Sequence, residues 1–110
     1  TNDPTAHAEV VAIRDACKNL SDFQLEGCEV YTTCEPCPMC MGAIYWSRPS
    51  AVYFAASRED AARAGFDDSM IYDELTCPLD QRKISMTRLD NSAALALFSD
   101  WQQKPDKTAY

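Results

Sequence analysis

Apolar positions along the chain change period from block to block, and each change marks an element. Val10, Val11, Ile13 and Leu20 are the apolar material of a first helix. Asp3 is its expected N-cap and Pro4 its first helical position, with the end near Asn19. Residues 21–27 read as a loop, with Phe23 and Leu25 expected to pin it to the core. The Val, Tyr and Thr content of residues 28–33 (CEVYTT) predicts a buried strand. Pro36 opens a second helix, whose small residues Gly42 and Ala43 allow close approach to the first and which ends near Ser47, before Pro49. Residues 50–55 (SAVYFA) lack alternation, so a strand covered on both faces is expected there. A short Ala-rich helix over residues 59–64 closes at Gly65, and a loop follows through Ser69. Residues 72–78 do not resolve into one element. Residues 83–88 (KISMTR) alternate as a half-buried strand does. Asp90 then caps a last helix to about Gln103, with Ala94, Leu95, Leu97, Phe98 and Trp101 on its apolar face. Helices and strands thus alternate, which predicts an α/β domain with a parallel or mixed sheet covered by helices. At 110 residues one domain is expected.

Composition narrows the partners. The formal net charge is −7, and the only tight basic pair is Arg82–Lys83. A groove that follows a phosphate backbone needs a cationic stripe, so no nucleic-acid partner is expected. A small neutral heterocycle suits this balance. No run of apolar residues is long enough to span a membrane, and no signal peptide is visible. Of the six cysteines, Cys34, Cys37 and Cys40 crowd together, while Cys17, Cys28 and Cys77 stand singly. Crowding fits a metal site in a reducing compartment, hence a cytoplasmic protein, better than a secreted disulfide scaffold.

The candidate chemistry lies in TTCEPCPMCMGAI, residues 32–44. Cys37 and Cys40 have metal-ligand spacing on the first turn of a helix. Alone, such a pair is also compatible with a redox dithiol or half of a zinc knuckle. The chain has one histidine, His7, two residues before Glu9. One imidazole and two thiolates supply three ligands to Zn²⁺, leaving the fourth tetrahedral position open, as catalytic zinc sites do. Glu9 is then a carboxylate held beside the ion without being needed as a ligand, where a proton shuttle belongs. Cys34 makes a second C-x-x-C with Cys37 but precedes the helix, and is expected to be a buried, inert thiol. Met39 and Met41 read as packing. Phe66-Asp67-Asp68-Ser69 reads from composition as a solvated turn or cap. The ligand histidine arrives only six residues after Thr1, so an N-terminal portion that walls the site is expected to lie outside this sequence.

His7-Ala8-Glu9 followed by Pro36-Cys37-x-x-Cys40 is the H-x-E…P-C-x-x-C mark of zinc nucleobase deaminases. On these residues the chain resembles the cytidine deaminase-like superfamily. Three stretches make the likeness closest to its bacterial guanine-acting branch: DPTAHAE (residues 3–9), CEPCPMCMGAIYW (34–46) and AGFDDS (64–69). The likeness runs over nearly the whole chain. It implies a three-layer α/β/α sandwich with a mixed, five-stranded central sheet, whose opening helix and first two strands are missing here. It implies Zn²⁺ held by His7, Cys37 and Cys40, and Glu9 as general acid–base. It further implies that Asp68 accepts from the N1–H and 2-amino group of guanine, that Phe66 lines the pocket, and that Tyr110 contacts the base. The backbone N–H of Ala8 is a candidate contact to the water or the base. The implied reaction is hydrolytic deamination of guanine to xanthine and ammonia. The implied assembly is a homodimer that exchanges its C-terminal element, residues 104–110 included. Two alternatives remain open: a deaminase of tRNA adenosine or free cytosine, and a catalytically inactive zinc-binding subunit.

Overall fold

The computed structural model describes residues 2–109. The chain divides into two compact units, Thr1–Asp73 and Glu74–Tyr110.

The first unit is built on a β-α-β core. Helix α1 (Ala8–Leu20) leads into a loop, strand β1 (Glu29–Cys34), helix α2 (Pro38–Ser47) and strand β2 (Ala51–Ala56). The strands run parallel, pairing Val30 with Val52, Tyr31 with Tyr53 and Thr32 with Phe54. A parallel pair needs a crossover connection, and α2 is that crossover. Helices α1 and α2 pack on each other. Val10 of α1, Cys40 and Ile44 of α2, and Leu25 from the loop form the buried apolar centre. Leu25 is tied in through its backbone N–H, which donates to the carbonyl of the buried Ser47 at 2.6 Å. Phe23, expected in the core beside it, is exposed. The loop is closed as well by the Asp22 N–H to the Cys17 carbonyl and the Cys28 N–H to the Leu25 carbonyl, so its seating does not depend on the Phe23 ring.

Several expected boundaries shift. Asp3 and Pro4 do not start α1. The Asp3 carboxylate accepts from the backbone N–H of Thr5 at 2.9 Å and from its hydroxyl at 2.6 Å, closing a local turn. The helix begins only after His7, whose backbone is extended at φ −69° and ψ 152°. In the same way α2 begins after an extended Cys37 (φ −66°, ψ 170°), with Pro38 rather than Pro36 in its first turn. Both helices end in a left-handed residue, Ser21 at φ 53° and Arg48 at φ 62°.

Strand β2 is not covered on both faces: Tyr53 and Phe54 are 49% and 50% exposed. Tyr53 and Phe54 are consecutive and point to opposite faces, so each face of the two-stranded described sheet is left about half open there. The rings of Tyr31 and Tyr53, directly paired in register, stack with centroids 4.9 Å apart.

Beyond β2 comes α3 (Arg58–Arg63), then α4 (Ser69–Thr76), which takes in most of residues 72–78, the stretch that did not resolve from sequence. Ser57 caps α3 in a full capping box with Asp60. The backbone N–H and hydroxyl of Ser57 and the Arg63 guanidinium hold the Asp60 carboxyl below its ordinary range.

In the second unit, residues 83–88 are not a strand. Alternation marks one side for burial but supplies no partner ladder, and Ile84 and Met86 remain exposed. The segment is instead held by single bonds: the Lys83 N–H to Glu74 Oε1 at 2.8 Å, and the Arg82 guanidinium to the Leu75 carbonyl at 3.3 Å. Helix α5 (Ser92–Gln103) forms as expected, with Asn91 at its N-cap. Asp90 accepts instead from the Ser92 N–H at 3.2 Å.

Because Ile44 of α2 belongs to the buried apolar centre of this unit, Ile44→Ala is expected to lower unfolding free energy by about 2–5 kcal/mol in chemical denaturation.

Candidate metal centre

The two extended residues that start α1 and α2 are the two residues that bring the ligands together. His7 is the N-cap of α1 and Cys37 the N-cap of α2, and neither side chain is used to cap its own helix. Cys40 follows one turn into α2 and is fully buried. The ligand atoms of His7, Cys37 and Cys40 all lie within 4.8 Å of one another. His7 Nδ1 stands 3.5 Å from Cys37 Sγ and 3.5 Å from Cys40 Sγ. A tetrahedral zinc with nitrogen at about 2.0 Å and sulfur at about 2.3 Å sets those two ligands about 3.5 Å apart. The donor set and its spacing therefore fit Zn²⁺. Both helices direct free N–H groups toward this point, which favours thiolate. Burial, with Cys37 and Glu9 alongside, pushes the Cys40 thiol up. A bound divalent ion reverses that preference, since a coordinating thiol is deprotonated outright.

Glu9 sits in the first turn of α1, two residues past the histidine. Its Oε2 is 3.4 Å from Cys40 Sγ, and its Oε1 accepts from the Thr32 hydroxyl at 3.1 Å. Burial raises the Glu9 carboxyl, but its own backbone N–H, the Cys40 thiol and the Thr32 hydroxyl outweigh this and hold it below its ordinary value. Thr32 was not singled out from the sequence. Its signal was there: two residues before Cys34 in a strand, it shares that residue's face of the sheet.

A cavity of about 380 Å³ opens on this cluster. One side is His7, Glu9 and Cys37, with Cys34 and Glu35 from the end of β1. The opposite side is Ala61 of α3 and the loop Gly65–Asp68. Phe66 and Asp68 thus lie on the wall facing the metal ligands. Phe66 is 78% exposed and Asp68 is half-buried. The two carboxylates of the loop are used differently. Asp67 accepts from the Ser69 N–H at 2.9 Å, at the start of α4, and that contact holds its carboxyl below the ordinary range. The Asp68 carboxylate makes no side-chain hydrogen bond among the described residues. Ala8 opens α1 between His7 and Glu9 but is exposed and its side chain is not part of the cavity wall. Cys34 stands outside the three-ligand cluster, half-buried, with its Sγ 4.0 Å from the Ser57 carbonyl. Tyr110 lies outside the described residues.

Comparison with known proteins agrees with this geometry. Residues 1–56 match the cytidine and deoxycytidylate deaminase zinc-binding region, a stretch that holds all three ligands and Glu9. The chain belongs to this zinc-binding deaminase family. All 110 residues align with guanine deaminase of Bacillus subtilis at 54% identity, covering 70% of that protein. The X-ray structure of the same Bacillus subtilis guanine deaminase superposes with a TM-score of 0.94 over 99% of this chain and 69% of that one. A tRNA-specific adenosine deaminase of Aquifex aeolicus is 56% identical, but over 54 residues, 49% of this chain and 36% of the relative. The likeness to the adenosine deaminase thus covers about half of this chain, whereas that to guanine deaminase runs along all of it.

Cys40→Ala is expected to abolish stoichiometric zinc in the purified protein. Cys34→Ser should retain it, both read by elemental analysis against protein concentration.

Proposed function

We propose that this protein deaminates guanine hydrolytically, giving xanthine and ammonia. The observation that carries this reading is the full-length match to guanine deaminase, which spans the cavity wall of Phe66 and Asp68 as well as the metal cluster. His7, Cys37 and Cys40 would hold zinc, which when bound supplies a Lewis acid that lets a water ionise near neutral pH. Glu9, held by Thr32 at the edge of the cluster, would accept a proton from the attacking water and pass it to ring N3 as the oxygen adds to C2. Glu9 would then take the proton of the new C2–OH and pass it to the 2-amino group, so that the C2–N bond breaks, C2=O forms and ammonia leaves. Asp68 faces this centre across the cavity, with an unengaged carboxylate that can accept from both the N1–H and the 2-amino group. Adenine has no such donor pair. Phe66 offers its ring to a face of the base. Ala8 contributes its backbone N–H rather than a side chain, and Tyr110 a contact from the C-terminal end.

The same reading includes a homodimer that exchanges its C-terminal element. Support comes from α5, whose Leu97, Phe98 and Trp101 are exposed and, at helical spacing, line one apolar pocket, the kind of surface that marks an interaction site.

Ammonia release from guanine, adenine, adenosine and cytosine assayed side by side tests the substrate. Guanine alone is expected to react, and turnover of cytosine or tRNA adenosine alone would overturn the assignment. Glu9→Gln should lose about 10²-fold or more in rate while keeping its zinc. Loss of zinc in that variant would contradict the separation of shuttle from ligand. For the dimer, Phe98→Asp should shift the mass measured by light scattering toward the monomer.

A further inference from the structure

Glu35 lies between the last residue of β1 and the first thiol ligand, yet it is no part of the three-ligand cluster. It is half-buried and lines the cavity. Its Oε1 accepts from the backbone N–H of Arg58, the first residue of α3, at 3.1 Å. Its own backbone N–H donates to the Ala56 carbonyl at 2.8 Å, continuing the β1–β2 ladder by one step. Glu35 is therefore fastened to the segment leaving β2 by main chain and side chain together. A helix start leaves several N–H groups without intrahelical partners. At α3 the Ser57 hydroxyl takes that of Asp60, and Glu35, distant in sequence, takes that of Arg58.

Arg58 is held a second time. Its guanidinium lies 3.9 Å over the ring of Tyr72 in α4. Helices α3 and α4 flank the loop that carries Phe66 and Asp68. One chain of contacts, Glu35 to Arg58 to Tyr72, thus runs from the metal-ligand turn to both flanks of the opposite wall. No other described side-chain hydrogen bond between the ligand-bearing turn and that wall involves a carboxylate.

We propose that Glu35 is a positioning residue: it fixes the wall bearing Phe66 and Asp68 at its working distance from the His7–Cys37–Cys40 cluster, and so sets how well the base is held. The role in substrate binding rests on the guanine reading above; the docking of α3 does not.

The test uses the zinc-loaded protein, its Glu35→Ala and Glu35→Gln variants, and two readouts. Amide hydrogen exchange of residues 58–68 is expected to speed up roughly fivefold or more in Glu35→Ala, the scale of a lost helix-cap bond, with α2 amides and zinc content unchanged. KM for guanine should rise by a similar factor, about fivefold, with kcat moving less, because the lost contact acts on binding. Glu35→Gln keeps a carbonyl acceptor for the Arg58 N–H and should restore both. Unchanged exchange in Glu35→Ala overturns the proposal. So does a Gln variant as impaired as Ala, which would mean that the charge itself meets the substrate. If Glu35→Ala does not fold, Arg58→Leu takes its place: it keeps the backbone N–H but loses the contact to Tyr72, and faster exchange confined to residues 58–72 supports the proposal while unchanged exchange overturns it. Failure of the wild type to release ammonia from guanine would sink the substrate reading alone, leaving the exchange results to decide the role of Glu35.

Discussion

Two helix starts meeting at one point are the constraint on which the first unit depends. His7 and Cys37 are both extended N-cap residues, so each side chain leaves its helix at the end where unpaired N–H groups gather. Cys40, one turn further, closes the triangle from the buried side. The packing of α1 on α2 around Val10 and Ile44 holds these two ends together. The arrangement concentrates thiols, a carboxylate and an imidazole in a partly dry place. Burial holds the Cys40 thiol against ionisation, and a divalent cation is the species that relieves this. Metal binding and the α1–α2 contact are therefore expected to stabilise each other.

The cavity has two sides of different origin. The metal side comes from α1, the end of β1 and the start of α2, and lies within the stretch that matches the zinc-binding deaminase region. The other side comes from α3 and the loop before α4. The adenosine deaminase match spans about half of this chain, the guanine deaminase match all of it. This division follows from the chemistry. Activating a water demands one fixed set of ligands, whereas choosing a base demands only a wall that can vary. Contacts that join the sides, such as that of Glu35 with Arg58, then matter more than their single-bond strength suggests.

Position within a helix explains why neighbouring residues of one type do different work. Asp67 serves the first N–H of α4, and Asp68, one residue on, faces the cavity. Cys34 and Cys37 have the same spacing as Cys37 and Cys40. The first pair straddles a strand end and a turn, and only the second shares a helical turn. Thr32 holds Glu9 because strand alternation puts it on the face turned toward α1.

The three residues of the metal cluster and the carboxylate beside them were legible in the sequence because their chemistry is scarce: a single histidine, a cysteine pair at helical spacing and a carboxylate two residues from the imidazole. The elements β1, α2, β2 and α5 were legible because residue type and local period decide them. Where α1 starts was not, since Asp3 could cap a helix or close a turn on Thr5, and only the rest of the fold chooses. Nor was the irregular course of residues 83–88, because a strand needs a partner and alternation cannot name one. The exposure of Phe23, Tyr53 and Phe54, the hold of Thr32 on Glu9, and the bridge from Glu35 to α3 all depend on which segments lie side by side. Local sequence determines the identity of a group and its element; distances between groups far apart in the chain arise only when those elements pack.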